Sequence, residues 1–161
     1  MDNTQRIGID IEGVIRTKGK KARSVEEYLD AKPISDAITV IAGLADKLGP
    51  ENIFIISRCP EYAEDVILQW LDNQNFFSDI GFNRSNVYFC RERVDKALIA
   101  RRLQLTHFID NRIDVLDAML DVVANRILFT GGSNHDKTEI DDSIIVLNNW
   151  NSILEYIKKY V

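Results

Sequence analysis

The sequence has few cysteines and no long apolar run, and each shortage excludes a class of protein. Only two cysteines occur in 161 residues, Cys59 and Cys90, and no Cys-x-x-Cys spacing joins them. This usage predicts small buried thiols in a reducing compartment and excludes a disulfide framework. No stretch approaches 18 apolar residues, so we expect no membrane span. The opening MDNTQRIGID lacks the apolar core of a signal peptide, and we therefore expect a cytoplasmic protein.

The charge balance disfavours one further class of partner. The net charge is −5 and the pI about 5.1, whereas generic nucleic-acid binding depends on an excess of Lys and Arg. One stretch, Arg16–Arg23, is basic although the chain as a whole is acidic. Short charge runs are usually solvated loops, and that is our prediction for it, with contact to an anionic ligand as the alternative. The length predicts a single domain over 1–161.

Short apolar runs alternate with amphipathic stretches along the chain. The runs in RIGID, NIFIIS, VYFC, HFID and RILF predict buried strands, and SIIVL is a candidate sixth strand. Apolar residues at helical spacing predict helices over Pro33–Leu48, Glu61–Leu71, Val94–Leu103, Ile113–Val122 and Trp150–Ile157. In the second of these, Tyr62, Val66, Trp70 and Leu71 would form one face. The alternation predicts an α/β fold, a three-layer Rossmann-like parallel sheet with helices on both faces.

Polar residues stand at the ends of the predicted strands, where open parallel sheets bind their ligands. They are Asp10 and Glu12 after the first strand, Ser57 and Arg58 at the second, and Asp110, Asn111 and Asp114 after the fourth, with Lys96 at the start of a helix. The sequence therefore predicts that carboxylates from two strand ends, one amine and one hydroxyl converge on one edge of the sheet. Taken alone, Ser57 is better explained as a helix cap, and Asp114 as an acid near a helix N-terminus.

This set of groups suits phosphate chemistry. Neighbouring carboxylates repel each other, and a divalent cation relieves the repulsion. Mg²⁺ prefers hard oxygen ligands and takes only one or two protein carboxylates, for which Asp10 and Asp110 are the candidates. An aspartate beside a metal can attack phosphorus to give an aspartyl-phosphate. Lys96 would neutralise charge, and the Ser57 hydroxyl would donate to a phosphate oxygen.

The order of these motifs resembles the haloacid dehalogenase superfamily of phosphohydrolases. The matching segments are DIEGVI, FIISR, the lysine of DKALIARRL, and FIDNRID. The resemblance implies that Asp10 is the nucleophile, Glu12 the general acid/base, and Ser57 and Lys96 the residues that hold the phosphoryl group. It also implies that Asp10, Asp110 and Asp114 hold Mg²⁺, with the Glu12 backbone carbonyl as a further ligand and Asn111 as an alternative to Asp114.

Glu12 departs from the pattern, because most phosphatases of this superfamily carry Asp there. The extra methylene moves the carboxylate outward, and a displacement of about 1 Å can cost on the order of 100-fold in rate. Three outcomes stay open: a working phosphatase with an adjusted pocket, a slow one with a longer-lived aspartyl-phosphate, or a module that binds phosphate or protein without turnover. The first is our prediction, since the other catalytic positions match.

The resemblance is to the capless members of the superfamily. The segment at about 15–32 leaves room for a short flap with a helix in SVEEYLD, and no interval is long enough for a large cap domain. An open site admits a small phosphorylated molecule, with nucleotides among the candidates, or a larger phosphorylated substrate. A partner subunit could also cover it, so an oligomer stays open. A response-regulator receiver domain is the competing fold, but its lysine comes late in the chain, whereas Lys96 precedes Asp110.

Overall fold

A computed structural model describes residues 2–18, 21–132 and 139–161. Within these residues, six parallel strands form one sheet in the order β3-β2-β1-β4-β5-β6. Their bounds are β1 Ile7–Ile9, β2 Ile53–Arg58, β3 Val87–Cys90, β4 His107–Asp110, β5 Asn125–Phe129 and β6 Ile145–Leu147. All six predicted strands are confirmed, including the candidate sixth. The strand order reverses beside β1, which pairs with β2 on one side and β4 on the other.

Six α-helices occur within the described residues. They are α1 Val25–Asp30, α2 Ala37–Leu48, α3 Glu64–Asn73, α4 Asp95–Arg102, α5 Ile113–Asp117 and α6 Trp150–Lys158. Five of them, α2 to α6, cover the two faces of the sheet. One core contains buried residues of α2, α3 and α6, and a second contains those of α4 and α5. Along β2, Ile53 and Ile55 belong to the first core and Phe54 and Ile56 to the second, because successive side chains of a strand face opposite ways. The predicted three-layer α/β fold is confirmed.

Glycine is needed at one position of the central strand. A Cβ on Gly8 would lie 2.5 Å from Leu105 Cδ1 and 2.8 Å from a ring carbon of Phe108. Any larger residue would therefore displace the second core from β1. This close packing holds β1 and β4 together at the point where the strand order reverses.

Three predicted helices differ from those observed. α2 begins at Ala37 rather than Pro33, because Ile34 N–H donates to Ile15 O and Pro33 pairs with Arg16 in an antiparallel bridge. α5 ends at Asp117, short of Val122, and turns follow it. The stretch from Glu61 begins as a 3₁₀ turn over Glu61–Ala63, which leaves the predicted core residue Tyr62 84% exposed.

The segment between β1 and α2 folds over the carboxyl edge of the sheet. Its two ends run antiparallel, with Thr17 N–H donating to Lys32 O. Ser24 caps α1 by accepting from Glu27 N–H. Two buried indoles hold the segment: Trp70 donates to Ala31 O at 2.9 Å and Trp150 to Val14 O at 2.8 Å. We call residues 15–32 the flap; residues 19–20 lie outside the described part.

No described helix is both long enough and apolar enough to cross a membrane.

Candidate active site

A cavity of about 210 Å³ opens where the strand order reverses. Its lining residues are Asp10, Glu12, Lys18, Arg58, Arg93, Lys96, Asn111 and Arg112. They come from the ends of β1, β2 and β4, from the flap and from the start of α4. In open parallel sheets this crevice is where ligands bind. The structure therefore places most of the predicted polar residues at the expected position.

Two aspartates and one lysine form a buried cluster at the base of this cavity. Lys96 Nζ donates to Asp10 Oδ1 and to Asp110 Oδ2, both at 2.8 Å. The residues are 3%, 6% and 0% exposed respectively, so solvent hardly screens the ion pairs. Asp110 Oδ1 also accepts from the backbone N–H of Arg112 at 2.9 Å. Lys96 therefore binds Asp10 through Oδ1 and not through Oδ2.

Burial and mutual repulsion set the protonation of the three groups. Burial is the main cause that raises the pKa of Asp10, and Lys96 opposes it. Burial and the charge of Asp10 together raise the pKa of Asp110 to about 6. Burial alone would lower the pKa of Lys96, but the two carboxylates outweigh it and raise that pKa. Lys96 is therefore a fixed cation shared by two carboxylates, and the cluster keeps an excess of negative charge when both are ionised.

That excess charge and the oxygen donors fit a magnesium ion. Across residues 2–18, 21–132 and 139–161, no three His, Cys, Asp or Glu side chains are grouped closely enough to hold a metal alone. Mg²⁺ does not need such a group, because it binds through one or two carboxylates and keeps several waters. Asp10 and Asp110 supply those carboxylates, and Asn111 adds an amide oxygen at the cavity wall. The donor set suits a hard cation and not a soft one.

Ser57 and Arg58 end β2 beside this cluster. Ser57 is 1% exposed, does not line the cavity, and its hydroxyl has no hydrogen-bond partner within the part of the chain that the structure describes. It does not cap the next helical turn, whose cap is Pro60. Arg58 is exposed, lines the cavity and donates through Nε to Arg91 O at 3.3 Å. Arg58, the other substrate-binding candidate at this strand end, therefore lines the cavity, whereas Ser57 is buried beside the cluster.

Glu12 is bound by two residues of the flap. Its Oε1 accepts from the Tyr28 hydroxyl at 2.6 Å and its Oε2 from Arg16 Nη1 at 2.8 Å. Arg16 Nη2 also donates to Tyr28 O at 2.9 Å, and its guanidinium lies 3.6 Å from the centre of the Tyr28 ring. The prediction of a wholly solvated basic loop over Arg16–Arg23 is wrong at Arg16, which is 6% exposed, because its charge is neutralised by Glu12 and its plane stacks on an aromatic ring.

The two candidates for the second metal residue lie in different surroundings. Asn111 lines the cavity, and its amide nitrogen lies 2.4 Å from where a Cβ on Gly13 would be. Gly13, with φ of +76°, therefore lets the chain after β1 pass close to Asn111. Asp114 is outside the cavity lining and accepts from Arg112 Nε and Nη2 at 3.0 and 3.1 Å. Slight burial acts to raise the pKa of Asp114, but the bonds from Arg112 outweigh it and lower that pKa.

Sequence reasoning did not single out Tyr28, Arg93 or Arg112. It named Arg16 and Lys18 only as part of the basic stretch Arg16–Arg23, for which contact with an anionic ligand was the alternative. Arg93 could have been suspected from the cations that follow the predicted third strand. No sequence signal pairs Arg16 and Tyr28 with Glu12, because the pairing depends on how the flap folds back.

A larger cavity of about 520 Å³ lies elsewhere and does not include the predicted catalytic residues. Its lining residues are Asp117, Leu120, Arg126, Glu139, Ile140, Asp141 and Asp142. Among the described residues that line it, the one cation is Arg126, which already donates to Leu116 O at 3.0 Å and to the Ser143 hydroxyl. Acidic groups without a free cation offer little to a phosphate. Size alone therefore does not identify the site.

The cysteines are buried free thiols, as predicted. Burial raises the pKa of Cys59 to about 11 and also raises that of Cys90. Since the thiolate is the reactive form, neither is suited to attack a substrate at neutral pH.

Comparison with known proteins identifies the fold. No family model matches the chain, and no curated protein sequence matches it significantly. A solved D,D-heptose 1,7-bisphosphate phosphatase from B. bronchiseptica, complexed with magnesium and phosphate, is similar with a TM-score of 0.71 and 12% identity, over 98% of this chain and 99% of that one. A haloacid dehalogenase-like hydrolase from Xanthomonas campestris is similar with a TM-score of 0.66 and 10% identity, over 97% and 95% of the two chains.

A HAD family hydrolase from Deinococcus radiodurans R1, with bound phosphate and sodium, also has a TM-score of 0.66 and 10% identity, over 99% and 97%. These structures are matched over nearly their whole lengths, so the described chain corresponds to their entire fold without a large cap domain. At such low identity the likeness concerns the backbone arrangement and not the chemistry. The chain has the fold of the haloacid dehalogenase-like hydrolases.

Proposed function

We propose that this protein is a Mg²⁺-dependent phosphomonoester hydrolase of the haloacid dehalogenase superfamily, acting through an aspartyl-phosphate on Asp10. One observation carries the proposal: Lys96 joins the buried Asp10 and Asp110 at the point where the strand order reverses. A buried cluster of this kind is costly for stability alone, because two carboxylates must be desolvated beside one ammonium. Such a cost is expected where the groups serve a reaction.

We assign the following catalytic roles to residues of this chain. Lys96 fixes Asp10 through Oδ1, which leaves Oδ2 to attack phosphorus. Lys96 also neutralises charge on the transferred phosphoryl group, and the Ser57 hydroxyl donates to one of its oxygens. Arg58 binds the substrate from the mouth. Glu12 is the acid/base group. In the first step the P–O ester bond breaks and protonated Glu12 gives its proton to the leaving oxygen. In the second step Glu12 takes the proton of the water that attacks the aspartyl-phosphate, which releases inorganic phosphate and regenerates the Asp10 carboxylate.

Mg²⁺ would be held by Asp10, Asp110 and the Glu12 backbone carbonyl, with Asn111 or Asp114 behind them, and would neutralise phosphate oxygens. The cavity position of Asn111 favours it over Asp114, whose carboxylate is engaged by Arg112. The magnesium and phosphate bound by the heptose bisphosphate phosphatase support this assignment by analogy of fold.

The test is release of inorganic phosphate from p-nitrophenyl phosphate. We expect turnover with Mg²⁺, loss of turnover on addition of EDTA, and loss in Asp10→Asn. Rapid acid quench of the wild-type protein followed by mass spectrometry should detect a phosphate on Asp10. If a panel of nucleotides, sugar phosphates and phosphopeptides shows no Asp10-dependent turnover, the proposal is wrong.

A second candidate is a phosphate- or protein-binding module on the same fold, without turnover. The observation that favours it is the engagement of both Glu12 carboxylate oxygens by the flap. Glu12→Asp separates the two candidates. A large gain in rate would show that Glu12 has weakened an ancestral phosphatase activity. A loss would show that Glu12 itself supports catalysis.

A further inference from the structure

We propose that the substrate of this phosphohydrolase carries a second phosphate group, on the part that leaves, and that this phosphate binds to Lys18, Arg58 and Arg93. The inference rests on the proposed function and adds a substrate class to it. It follows from the charges around the mouth of the cavity and not from the catalytic cluster itself.

Three cations from separate segments line the same cavity as Asp10. Lys18 belongs to the flap, Arg58 is the last residue of β2, and Arg93 lies in the turn before α4. All three are exposed, and none forms an ion pair with a carboxylate within the described residues. The other cations near the site form ion pairs: Arg16 with Glu12, Lys96 with the two aspartates, and Arg112 with Asp114. We call Lys18, Arg58 and Arg93 the cationic rim.

The rim is more positive than a single phosphoryl group requires. Lys96 already offsets one of the two buried carboxylates, and a bound Mg²⁺ more than offsets the other. A phosphate carries about −1.5 to −2 charges at neutral pH, whereas Lys96, Mg²⁺ and the two carboxylates sum to about +1, so about −0.5 to −1 remains at the base of the cavity. Arg16 already offsets the charge of Glu12. Of the three positive charges at the mouth, about two are therefore left for another anion.

The composition of the chain does not explain this concentration. The protein as a whole has a net charge of −5, so a random part of its surface is expected to be acidic. Cations held close together repel each other, and the arrangement lowers stability unless an anion binds between them. The cavity of about 210 Å³ corresponds to roughly seven water volumes, which is more than one phosphate occupies.

The simpler alternative is that the rim only attracts anions. Electrostatic steering raises the association rate of every anionic substrate and weakens with salt, but it does not require a second phosphate. If the rim binds the second phosphate directly, the protein prefers a bisphosphate over the monophosphate that has the same scissile ester. Matched pairs of substrates therefore separate the two cases.

The experiment compares fructose 1,6-bisphosphate with fructose 6-phosphate, and adenosine 3′,5′-bisphosphate with adenosine 5′-monophosphate. p-Nitrophenyl phosphate serves as the reference for basal turnover. We expect at least one bisphosphate to exceed its matched monophosphate by roughly tenfold or more in kcat/KM, since each exposed ion pair contributes up to about fivefold. The pair that shows the preference tells whether a sugar or a nucleoside carries the second phosphate.

The variants assign the preference to the rim. Arg93→Gln should reduce it by roughly fivefold, mainly through KM. Arg101→Gln is the matched control, because Arg101 is an exposed arginine in the last turn of α4, outside the cavity lining. Calorimetric titration of Asp10→Asn with each bisphosphate and its matched monophosphate gives the same comparison without turnover. There the bisphosphate should bind at least several-fold more tightly.

The outcomes are distinct. If p-nitrophenyl phosphate is hydrolysed with dependence on Asp10 but neither bisphosphate exceeds its monophosphate, the second phosphate is refuted while the proposed function stands. The inference is also overturned if Arg93→Gln and Arg101→Gln change the preference equally, which would show steering only. If no substrate gives Asp10-dependent turnover, the proposed function fails, and calorimetry with equal affinities would then refute the rim as well.

Discussion

The Tyr28 hydroxyl donates a 2.6 Å hydrogen bond to Glu12 Oε1, across 16 residues of sequence. Arg16 holds the other carboxylate oxygen, so Glu12 is fixed from both sides by the flap. A longer acid in place of Asp normally has more freedom and is less well placed. Here the two donors remove that freedom, because each occupies one oxygen. The flap thus links the position of the candidate acid/base group to its own folding.

Tyr28→Phe tests this link with the least change in shape. The ring and its stacking on Arg16 remain, and only the bond to Glu12 is lost. We expect kcat to fall about tenfold to a hundredfold, since a hydrogen bond to a charged group contributes about 1.5–3 kcal/mol. KM should change little, because Tyr28 is not part of the cavity lining. Steady-state kinetics with p-nitrophenyl phosphate measures both constants.

Tyr62→Phe is the matched control for Tyr28→Phe. Tyr62 is 84% exposed and makes no hydrogen bond within the described chain, so its hydroxyl should be dispensable. Equal kinetics in the two variants would show that the bond to Glu12 has no part in turnover.

Glu12→Asp shortens the acid by one methylene, and we expect it to lower activity rather than restore it. Asp at this position cannot reach the Tyr28 hydroxyl and Arg16 Nη1 together at 2.6 and 2.8 Å. The catalytic group is then misplaced by about 1 Å, which costs on the order of 100-fold in rate. Arg16 would lose its partner while only 6% exposed, so the melting temperature should fall as well.

Phosphatase kinetics and thermal melting of Glu12→Asp give the two readouts. Glu26→Asp is a suitable control, because Glu26 is exposed in the first turn of α1 and its side chain makes no hydrogen bond within the described residues. An increase in kcat for Glu12→Asp would contradict the prediction and support a weakened ancestral phosphatase activity.

The sequence predicts the sheet well because its central strands β1, β2 and β4 are almost wholly buried. Runs such as NIFIIS have no polar face, so hardly any alternative structure can accommodate them. The gathering of Asp10, Lys96 and Asp110 was predictable for a related reason: parallel strands bring their carboxyl ends to one edge. What the sequence does not contain is the path of the irregular segments that follow those ends.

The missed features all depend on that path. α2 starts late because Pro33 and Ile34 pair with the flap and not with the helix. Arg16 looked like one charge of a basic run, but the flap folds it onto Tyr28 and Glu12. These contacts join residues whose spacing carries no periodic signal. They can be identified only from the three-dimensional position of the flap relative to the sheet.

Lys96→Met tests the charge balance of the buried cluster. Removing the ammonium leaves Asp10 and Asp110 buried without their shared cation. We expect the free energy of unfolding in EDTA to fall by about 3–5 kcal/mol. Urea denaturation measures the loss, and Lys158→Met, which removes a lysine 46% exposed, is the control. Added Mg²⁺ should restore part of the stability, since a cation can replace the lost charge; a loss below 1 kcal/mol would contradict the prediction.

His107 provides a pH dependence that is separate from the active site. It is fully buried at the start of β4, between Thr106 and the ring of Tyr160, whose centre is 5.0 Å away. Its Nε2 has no hydrogen-bond partner within the described residues. Burial lowers the pKa of His107 to about 4, from 6.5 in the unfolded chain. The imidazole is therefore neutral in the folded protein at neutral pH.

A lowered histidine pKa means that the unfolded chain binds the proton first. The stability contribution of neutral His107 should be complete above about pH 6.5 and should be lost as the pH falls from 6.5 to 4, by up to about 3 kcal/mol. His107→Phe keeps a ring and removes the titration, so its unfolding free energy should decline less over this interval. Urea denaturation between pH 4 and 7.5 measures both curves, with His135→Gln, the other histidine of the chain, as control. Parallel curves for the wild type and His107→Phe would show that His107 is not buried in its neutral form.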